Sequence, residues 1–518
     1  MDRFFNTSGP CDPEKHYMID PAQRFSQSHI RGLIRKDRYF ILHAPRQTGK
    51  TTMMHALART LAGEGQYAAL YINVEAAQAA RDNVEQVNRI IISECKLNAR
   101  LALPEAMQPK PEHYQHIDML NGLREFFGAW CRDLPLPLVL FMDEVDALIG
   151  DGLLTVLRQL RSGYNDRPHA FPKSVCLVGV RDIRDYRIFS NKEKKYVVGG
   201  SAFNIKETSL VMENFDFQQV VDLFAQHTAA RQQLFEPEAI KRIYYLTNGQ
   251  PWLVNALGRE LCDEDFPVAA GLTVTEAHVK EAADKLILRR DVHLDQLSDK
   301  LTEPRVVRVI EAILLGESGP AVSKLTAEDQ RYVIDLGLVR MGAEGLEIAN
   351  PLYREVIPRE LTSVDEGYLG QNPLWYRTAD GKLDMEKMLH EMVAYYRQHH
   401  EIITRRKTYT EAAHHLVFMT WLHRIVNSGG SIEREYAVGL GRMDLHITYG
   451  GEHFAIELKL LKGNALEVGI QQLAGYLGKL GLSKGYLILF QRSIKDLHEI
   501  GRREQRTFEN KHIEVLFL

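Results

Sequence analysis

The run Tyr39-Phe40-Ile41-Leu42 leads into Ala44-Pro45-Arg46-Gln47-Thr48-Gly49-Lys50-Thr51, and this stretch decides the fold. The spacing G-x-x-x-x-G-K-[ST] asks for a strand, a tight turn with inward N–H groups, and a helix whose positive N-terminal end meets phosphates. Thr52-Met53-Met54-His55-Ala56-Leu57 supplies the helix. Lys50 is expected to reach the β and γ phosphates and the Thr51 hydroxyl to ligate Mg²⁺, with the residues from Ala44 to Thr52 as candidate nucleotide contacts. Ala44 stands where the pattern has its first glycine, a position that needs little positive φ. The competing reading is a chance Gly-Lys-Thr helix start, and the flanking strand and helix argue against it.

The rest of the first half builds a parallel α/β sheet around that loop. Tyr67 to Val74 is a β-rich apolar run ending at Glu75. Prolines at 104, 109 and 111 mark a loop or small helical insertion. Leu138-Val139-Leu140-Phe141-Met142 then delivers Asp143-Glu144 to a strand's carboxyl end. This is a Walker B pattern, in which Asp143 can hold Mg²⁺ and Glu144 can orient an attacking water. Solvated carboxylates at a strand end are the bland alternative, and the upstream loop disfavours it. Asp146 reads as a solvated surface acid, with a supporting role at the site as the alternative. Ser174 to Val180 is a further strand ending in Arg181-Asp182, where Arg181 fits equally a γ-phosphate sensor or a solvated loop charge. From Phe215 to about Lys285 the periodicity is helical, broken by Asn248-Gly249-Gln250-Pro251. The turn-rich entry before the loop and the helix expected from Pro21 to Lys36 are candidates to cover the nucleotide base.

Length and composition set the limits. A chain of 518 residues is expected to form three or four domains, and 45% hydrophobic with 25% charged residues is ordinary globular composition. A net charge of −4 excludes nucleic-acid binding by bulk charge, so any such contact is local. The five cysteines are scattered without a C-x-x-C pair, which supports neither a disulfide framework nor a zinc site. The N-terminus lacks a signal-type apolar core and the longest apolar run, Leu136 to Met142, is far too short to span a bilayer. The expectation is a cytoplasmic chain with no membrane partner.

Ala44 to Thr51, Asp143-Glu144, the strand ending Gly179-Val180-Arg181 and the later Gly249-Gln250-Pro251 together resemble the STAND ATPases of the AAA-related P-loop class. That resemblance implies ATP as ligand, a sensor role for Arg181, a base-contacting role for Pro251, and a homo-oligomer. No Gly-Arg-Glu motif precedes the loop and no Met-His-Asp motif follows, which points to an archaeal or bacterial branch. Residues Leu301 to Leu361 read as a winged helix. Its candidate recognition stretch Thr326-Ala327-Glu328-Asp329-Gln330-Arg331 carries more acid than base, so an intramolecular regulatory role is favoured over DNA reading.

Beyond a turn-rich linker the composition changes. Helices through Met388-Leu389 and from Ala412 to Val426 precede three expected strands, Ile432 to Val438, Met443 to Tyr449 and Phe454 to Leu461. Asp444 on one strand and Glu457-Leu458-Lys459 on the next set two carboxylates and an amine on one face, because residues two apart on a strand point the same way. Two such acids can hold Mg²⁺, and the lysine can activate a water or stabilise developing charge. Exposed strands that merely alternate charge are the competing reading. The set resembles the PD-(D/E)xK nuclease superfamily, with Met443 where its proline stands. That resemblance implies DNA rather than RNA as substrate, Mg²⁺ or Mn²⁺ as cofactor, Gln472 and Tyr476 beside the active site, and Glu411 as a further metal-binding acid. Residues 401–518 carry sixteen Lys/Arg against thirteen Asp/Glu, in keeping with local phosphate contact.

The expected architecture is therefore α/β: a P-loop NTPase parallel sheet (1–214), a helical lid (215–295), a winged helix (296–361) and a linker (362–382). A separate restriction-endonuclease-like α/β domain (383–518) follows. The expected function is an ATP-regulated nuclease answering an unidentified trigger, and the resemblance suggests a prokaryotic defence role. A scaffold ATPase whose nuclease fold does not cleave, and a DNA-repair motor nuclease, are the alternatives.

Overall fold

A computed structural model describes residues 3–24, 27–182, 187–190, 195–198, 203–262, 273–289, 299–314, 325–343, 345–362, 376–378, 380–405, 418, 422, 430–438, 441–461, 463–491 and 500–518. The chain divides into two compact units, Met1–Val292 with Leu325–Arg354, and His293–Lys324 with Glu355–Leu518. The boundary thus runs through the 296–361 stretch.

The first unit is built on five parallel strands: β1 (Tyr39–His43), β2 (Ala68–Asn73), β3 (Leu138–Asp143), β4 (Ser174–Gly179) and β7 (Lys206–Val211), in the order β2-β3-β4-β1-β7. A hairpin of β5 (Arg187–Ser190) and β6 (Lys195–Val198) interrupts the sequence between β4 and β7. The central strands are apolar on both faces because helices cover both. Tyr39, Ile41, Leu70, Leu140 and Leu177 pack in one core with α4 (Val84–Ala102), α5 (Gly122–Asp133) and α6 (Gly150–Ser162). Phe40, Leu42, Val139, Phe141 and Val178 pack in a second with α2 (Gln27–Arg35) and α3 (Lys50–Gly63), after a short turn α1 (Pro21–Arg24). Each fully buried large side chain contributes about 1.5–3 kcal/mol relative to exposure. β1 and β3 therefore end at fixed positions on one edge of the sheet.

The lid comprises α7 (Phe217–Arg231), α8 (Pro237–Thr247), α9 (Pro251–Cys262) and α10 (Glu276–Arg289). An Asp216–Gln219 capping box starts α7. Local chemistry fixes the turn between α8 and α9: Asn248 closes α8 in the left-handed region, Gly249 follows at φ 68°, the Gln250 side chain accepts from Leu253 N at 2.6 Å, and Pro251 opens the next helix. A methyl group on Gly249 would sit 1.9 Å from the Phe215 carbonyl oxygen, and Phe215 N donates to Gly249 O at 2.8 Å. Also in this unit are α12 (Ala327–Asp335) and a hairpin of β8 (Val339–Gly342) and β9 (Gly345–Ile348); α11 (Pro304–Leu314) belongs to the second unit and α13 (Pro351–Thr362) begins at the boundary.

The second unit carries a mixed six-stranded sheet, order β10-β11-β12-β13-β15-β14. Its strands are β10 (Gly430–Val438), β11 (Gly441–Tyr449), β12 (Glu452–Leu460), β13 (Lys484–Phe490), β14 (Arg503–Phe508) and β15 (Lys511–Phe517). Helix α14 (Met385–Arg405) packs on one face with Leu445, Ile447, Ile456 and Leu458, and α15 (Ala465–Leu480) on the other with Ala455, Leu487 and Val515. The three strands read from the sequence are present and in the expected order; β13 to β15 are additional.

The Gly249 geometry generates a stability prediction. Gly249→Ala must relieve a clash with backbone and hold positive φ, and is expected to cost about 2 kcal/mol or more. Gly63→Ala, in a helix with open space around it, should leave the melting temperature unchanged or slightly raised in the same thermal scan.

Candidate functional site

Gly49 takes φ 94° immediately before α3, which lets the loop fold back onto the helix end, and no side chain caps that end. Its free N–H groups are available to an anion. Lys50, 7% exposed, folds over the loop and donates to the Ala44 and Pro45 carbonyls, each at 2.8 Å. Burial holds its ammonium below the usual lysine pKa, and Asp143 and Glu144 oppose that shift. Thr48 is buried, Gln47 has φ 59° and is partly exposed, and Arg46 is exposed.

The two halves of the nucleotide motif meet at Asp143. Thr51 Oγ1 donates to Asp143 Oδ2 at 2.7 Å, and Tyr71 OH donates to the same oxygen at 2.9 Å. Oδ1 accepts from Glu144 N at 2.9 Å. Glu144 sits in the left-handed region at φ 57°, uncommon for a residue with a side chain. Burial, with the Asp143 charge second, pushes its carboxyl pKa up. Tyr71, across from Phe141 on the neighbouring strand, is a site residue that the sequence reading missed.

Asp146 corrects an expectation. It is no solvated surface acid: its carboxylate accepts from Val180 N, and a methyl group on Gly179 would lie 2.4 Å from its Oδ2. Burial raises its pKa, while the Val180 bond, Lys50 and Arg181 lower it. It thereby fixes the exit of β4, where the Arg181 guanidinium lies 4.9 Å from the centre of the Tyr332 ring on α12. Gly337, at φ 76°, leaves just enough room for the Pro45 ring, 2.7 Å from where its Cβ would be. The segment 325–354 thus touches both the phosphate loop and the candidate sensor.

The entry segment straps the lid to the loop helix. Thr7 O accepts from Trp252 Nε1 at 2.8 Å, Thr7 Oγ1 accepts from Arg259 at 2.9 Å, and Cys11 N donates to Thr52 Oγ1 at 3.0 Å. The Thr52 hydroxyl is thus engaged by the strap, and Pro251, buried, immediately precedes Trp252.

The donor set fits a magnesium nucleotide. A helix end without a capping side chain and a buried ammonium suit phosphates, and the Thr51 hydroxyl beside the Asp143 carboxylate supplies hard oxygens.

In the second unit, Leu445 pairs with Ile456 in the antiparallel β11–β12 ladder, so Asp444 and Glu457 occupy the next step on the two strands. Ile456 and Leu458 face α14, which by alternation puts Glu457 and Lys459 on the α15 face. Glu457 is 2% exposed and its Oε1 lies 2.7 Å from Lys459 Nζ. The Lys459 stem passes 3.5 Å from where a Cβ on Gly469 of α15 would stand. Gln472 is exposed and Tyr476 half-buried on the same helix, four residues apart and so on one flank. The Asp444 side chain and all of Glu411 lie outside the described residues. Among the described residues no three His, Cys, Asp or Glu side chains form a metal-holding group. His446, buried on β11, was not singled out from the sequence; its Nε2 is 3.1 Å from Nδ1 of exposed His453. No helix among the described residues is long and apolar enough to cross a membrane.

Residues 11–358 match the model of an AAA-like domain, and residues 383–493 match a domain of unknown function, DUF8371, which assigns no activity. No curated protein matches the chain. Similar solved structures include the Walker-type ATPase PABY2304 of Pyrococcus abyssi, at 15% identity and TM-score 0.47 over 68% of this chain and 99% of that one. Cdc6p from Pyrobaculum aerophilum aligns at 14% identity and TM-score 0.36, over 70% and 98%. A Thermotoga maritima RuvB variant aligns at 13% identity and TM-score 0.35, over 65% and 93%.

Glu144 gives a prediction in which stability and activity move oppositely. A carboxyl whose pKa rises on folding destabilises the fold above its ordinary pKa, and the penalty disappears as pH falls below that value. Glu144→Gln should raise the melting temperature of the nucleotide-free protein at pH 7.5, and this gain should shrink to nothing near about pH 4. ATP turnover should fall by about 100-fold or more in the same variant.

Proposed function

We propose that this chain, which belongs to the AAA-like domain family, is an ATP-controlled nuclease that cleaves DNA with its C-terminal sheet domain. The pairing of Leu445 with Ile456 supports the reading, because the backbone positions of Asp444 and of Glu457, which is paired with Lys459, then follow one step on in neighbouring strands.

In the first unit Lys50 and the loop N–H groups would bind the phosphates of ATP, and Thr51 and Asp143 would hold Mg²⁺, which would supply charge neutralisation at the phosphates. Lys50 must then exchange the Ala44 and Pro45 carbonyls for phosphate oxygens, which frees the loop carbonyls to turn. Glu144, on its left-handed residue, orients a water towards the γ-phosphate position. Arg181 reports phosphate occupancy to Tyr332, and Pro45 reports loop shape to Gly337. The winged-helix segment acts within the molecule, in line with its acid-rich candidate recognition stretch. Pro251 and the entry strap cover the base.

In the second unit Asp444 and Glu457, with Glu411 as an added acid, hold Mg²⁺ or Mn²⁺, which would supply Lewis acidity at the scissile phosphate. Lys459 neutralises Glu457 before substrate arrives and donates to a phosphate oxygen or the attacking water afterwards. Gln472 and Tyr476 flank the bound strand. The domain limits given above, homo-oligomeric assembly, a cytoplasmic setting and a defence role triggered by an unidentified molecule belong to the same proposal.

Supercoiled plasmid incubated with the protein, ATP and Mg²⁺ or Mn²⁺ tests it. Asp444→Ala and Glu457→Gln should each lower cleavage by at least about 100-fold while ATP turnover stays within about twofold. Wild-type inability to nick DNA with either metal, or unimpaired cutting by Asp444→Ala, would leave a scaffold ATPase with a non-cleaving fold. ATP turnover raised strongly by DNA, together with strand displacement, would instead indicate a motor.

A further inference from the structure

Arg24, at the end of α1, lies outside every motif used above, yet it touches the phosphate loop. Its guanidinium donates to the carbonyls of Thr48 and Glu213 and lies 4.7 Å from the centre of the Phe215 ring. Among the described residues it forms no ion pair, and its polar partners there are main-chain oxygens. Burial lowers its pKa to about 10, so it remains a cation at neutral pH. The next loop residue has little room on the Arg24 side: Gly49 has φ 94°, and a methyl group there would meet Arg24 Nη1 at 3.0 Å.

The geometry separates two roles for such a cation. A trans peptide directs its C=O and N–H to opposite sides. The Thr48 carbonyl that holds Arg24 and the Gly49 N–H that begins the phosphate cradle therefore face away from each other. Arg24 stands behind the loop, opposite the place a phosphate takes, and is no direct phosphate ligand. It fixes the plane of the Thr48–Gly49 peptide and draws electron density towards the Thr48 oxygen, which makes the Gly49 N–H a stronger donor. Its other side rests on the 213–215 segment. That segment is bonded to the lid turn, since Phe215 N donates to Gly249 O at 2.8 Å and Asn214 Nδ2 donates to Asn248 O at 3.1 Å.

We propose that Arg24 is a positioning residue that sets the phosphate loop from behind and couples its setting to the Gly249-Gln250-Pro251 turn, so that phosphate binding and lid order rise and fall together. The inference rests on reading Ala44 to Thr51 as the ATP site. Lysine cannot replace the arginine fully, because a single ammonium lacks the planar fork that spans two carbonyls.

The test uses the full chain, with MgATP affinity by calorimetry and hydrogen exchange of residues 249–254 with and without MgATP. Wild type should bind MgATP and gain protection over 249–254. Arg24→Ala should bind about 10-fold more weakly or worse and lose that gain, while Arg24→Lys recovers part of the affinity without the protection. Wild-type affinity in Arg24→Ala, or weakened binding with the protection intact in both variants, overturns the coupling. If Arg24→Ala does not fold, Arg24→Lys decides alone: full protection overturns the proposal and lost protection at measurable affinity supports it. A wild-type chain that binds no MgATP overturns the ATP reading itself and this proposal with it, whereas wild-type binding with unaffected variants overturns this proposal alone.

Discussion

The first unit depends on a buried positive charge. Lys50 is 7% exposed, and a lysine ammonium so placed is costly unless oxygen atoms surround it. The loop meets that demand by turning the Ala44 and Pro45 carbonyls inward, each 2.8 Å from Nζ. Those carbonyls can turn only because Gly49 takes φ 94° and because β1, buried between two helical layers, fixes where the loop begins. The carbonyls satisfy the charge only in part, for a phosphate brings net negative charge as well as acceptors. Under the proposed function, a bound phosphate exchanges one set of oxygens for another, and the loop carbonyls are then released to turn.

Three neighbours rest against the part that changes. Pro45 sits on Gly337, Asp146 ties Val180 to the sheet beside Lys50, and Arg24 lies behind Thr48. Each leads away from the loop, respectively to the 325–354 segment, to Arg181 on Tyr332, and to the lid turn at Gly249. A movement of loop carbonyls therefore has packed contacts on which to act, which is the physical requirement for a switch. In the second unit the corresponding constraint is a charge pair: Glu457 is 2% exposed beside Lys459, so removing the lysine strands a carboxylate where water cannot reach it easily.

Legibility followed the range of the interactions. The phosphate loop, the Asp143-Glu144 strand and the Glu457-x-Lys459 pair could be read because their chemistry is encoded within a few residues. The lid turn was legible for the same reason, since Asn248, Gly249, Gln250 and Pro251 each take the conformation their type favours. Strand β7 was not, because it lies at the sheet edge and its sequence Lys206 to Val211 is mostly polar. Asp146 was read as a surface acid because its partner, the Val180 N–H, comes 34 residues later and is a backbone group with no sequence signature. Tyr71 and Arg24 share that difficulty: one reaches Asp143 across 72 residues, the other reaches main-chain oxygens. Long-range contacts to backbone leave no trace in a single sequence.

The proposed control of cleavage at Asp444 by nucleotide at Lys50 is tested by the ATP dependence of plasmid cleavage. Cleavage rate by the wild-type chain, titrated with ATP at fixed Mg²⁺, should follow the occupancy measured by MgATP binding, and Lys50→Ala should show no ATP response at any concentration. A Lys50→Ala protein that cuts at the full wild-type rate without nucleotide would contradict the claim.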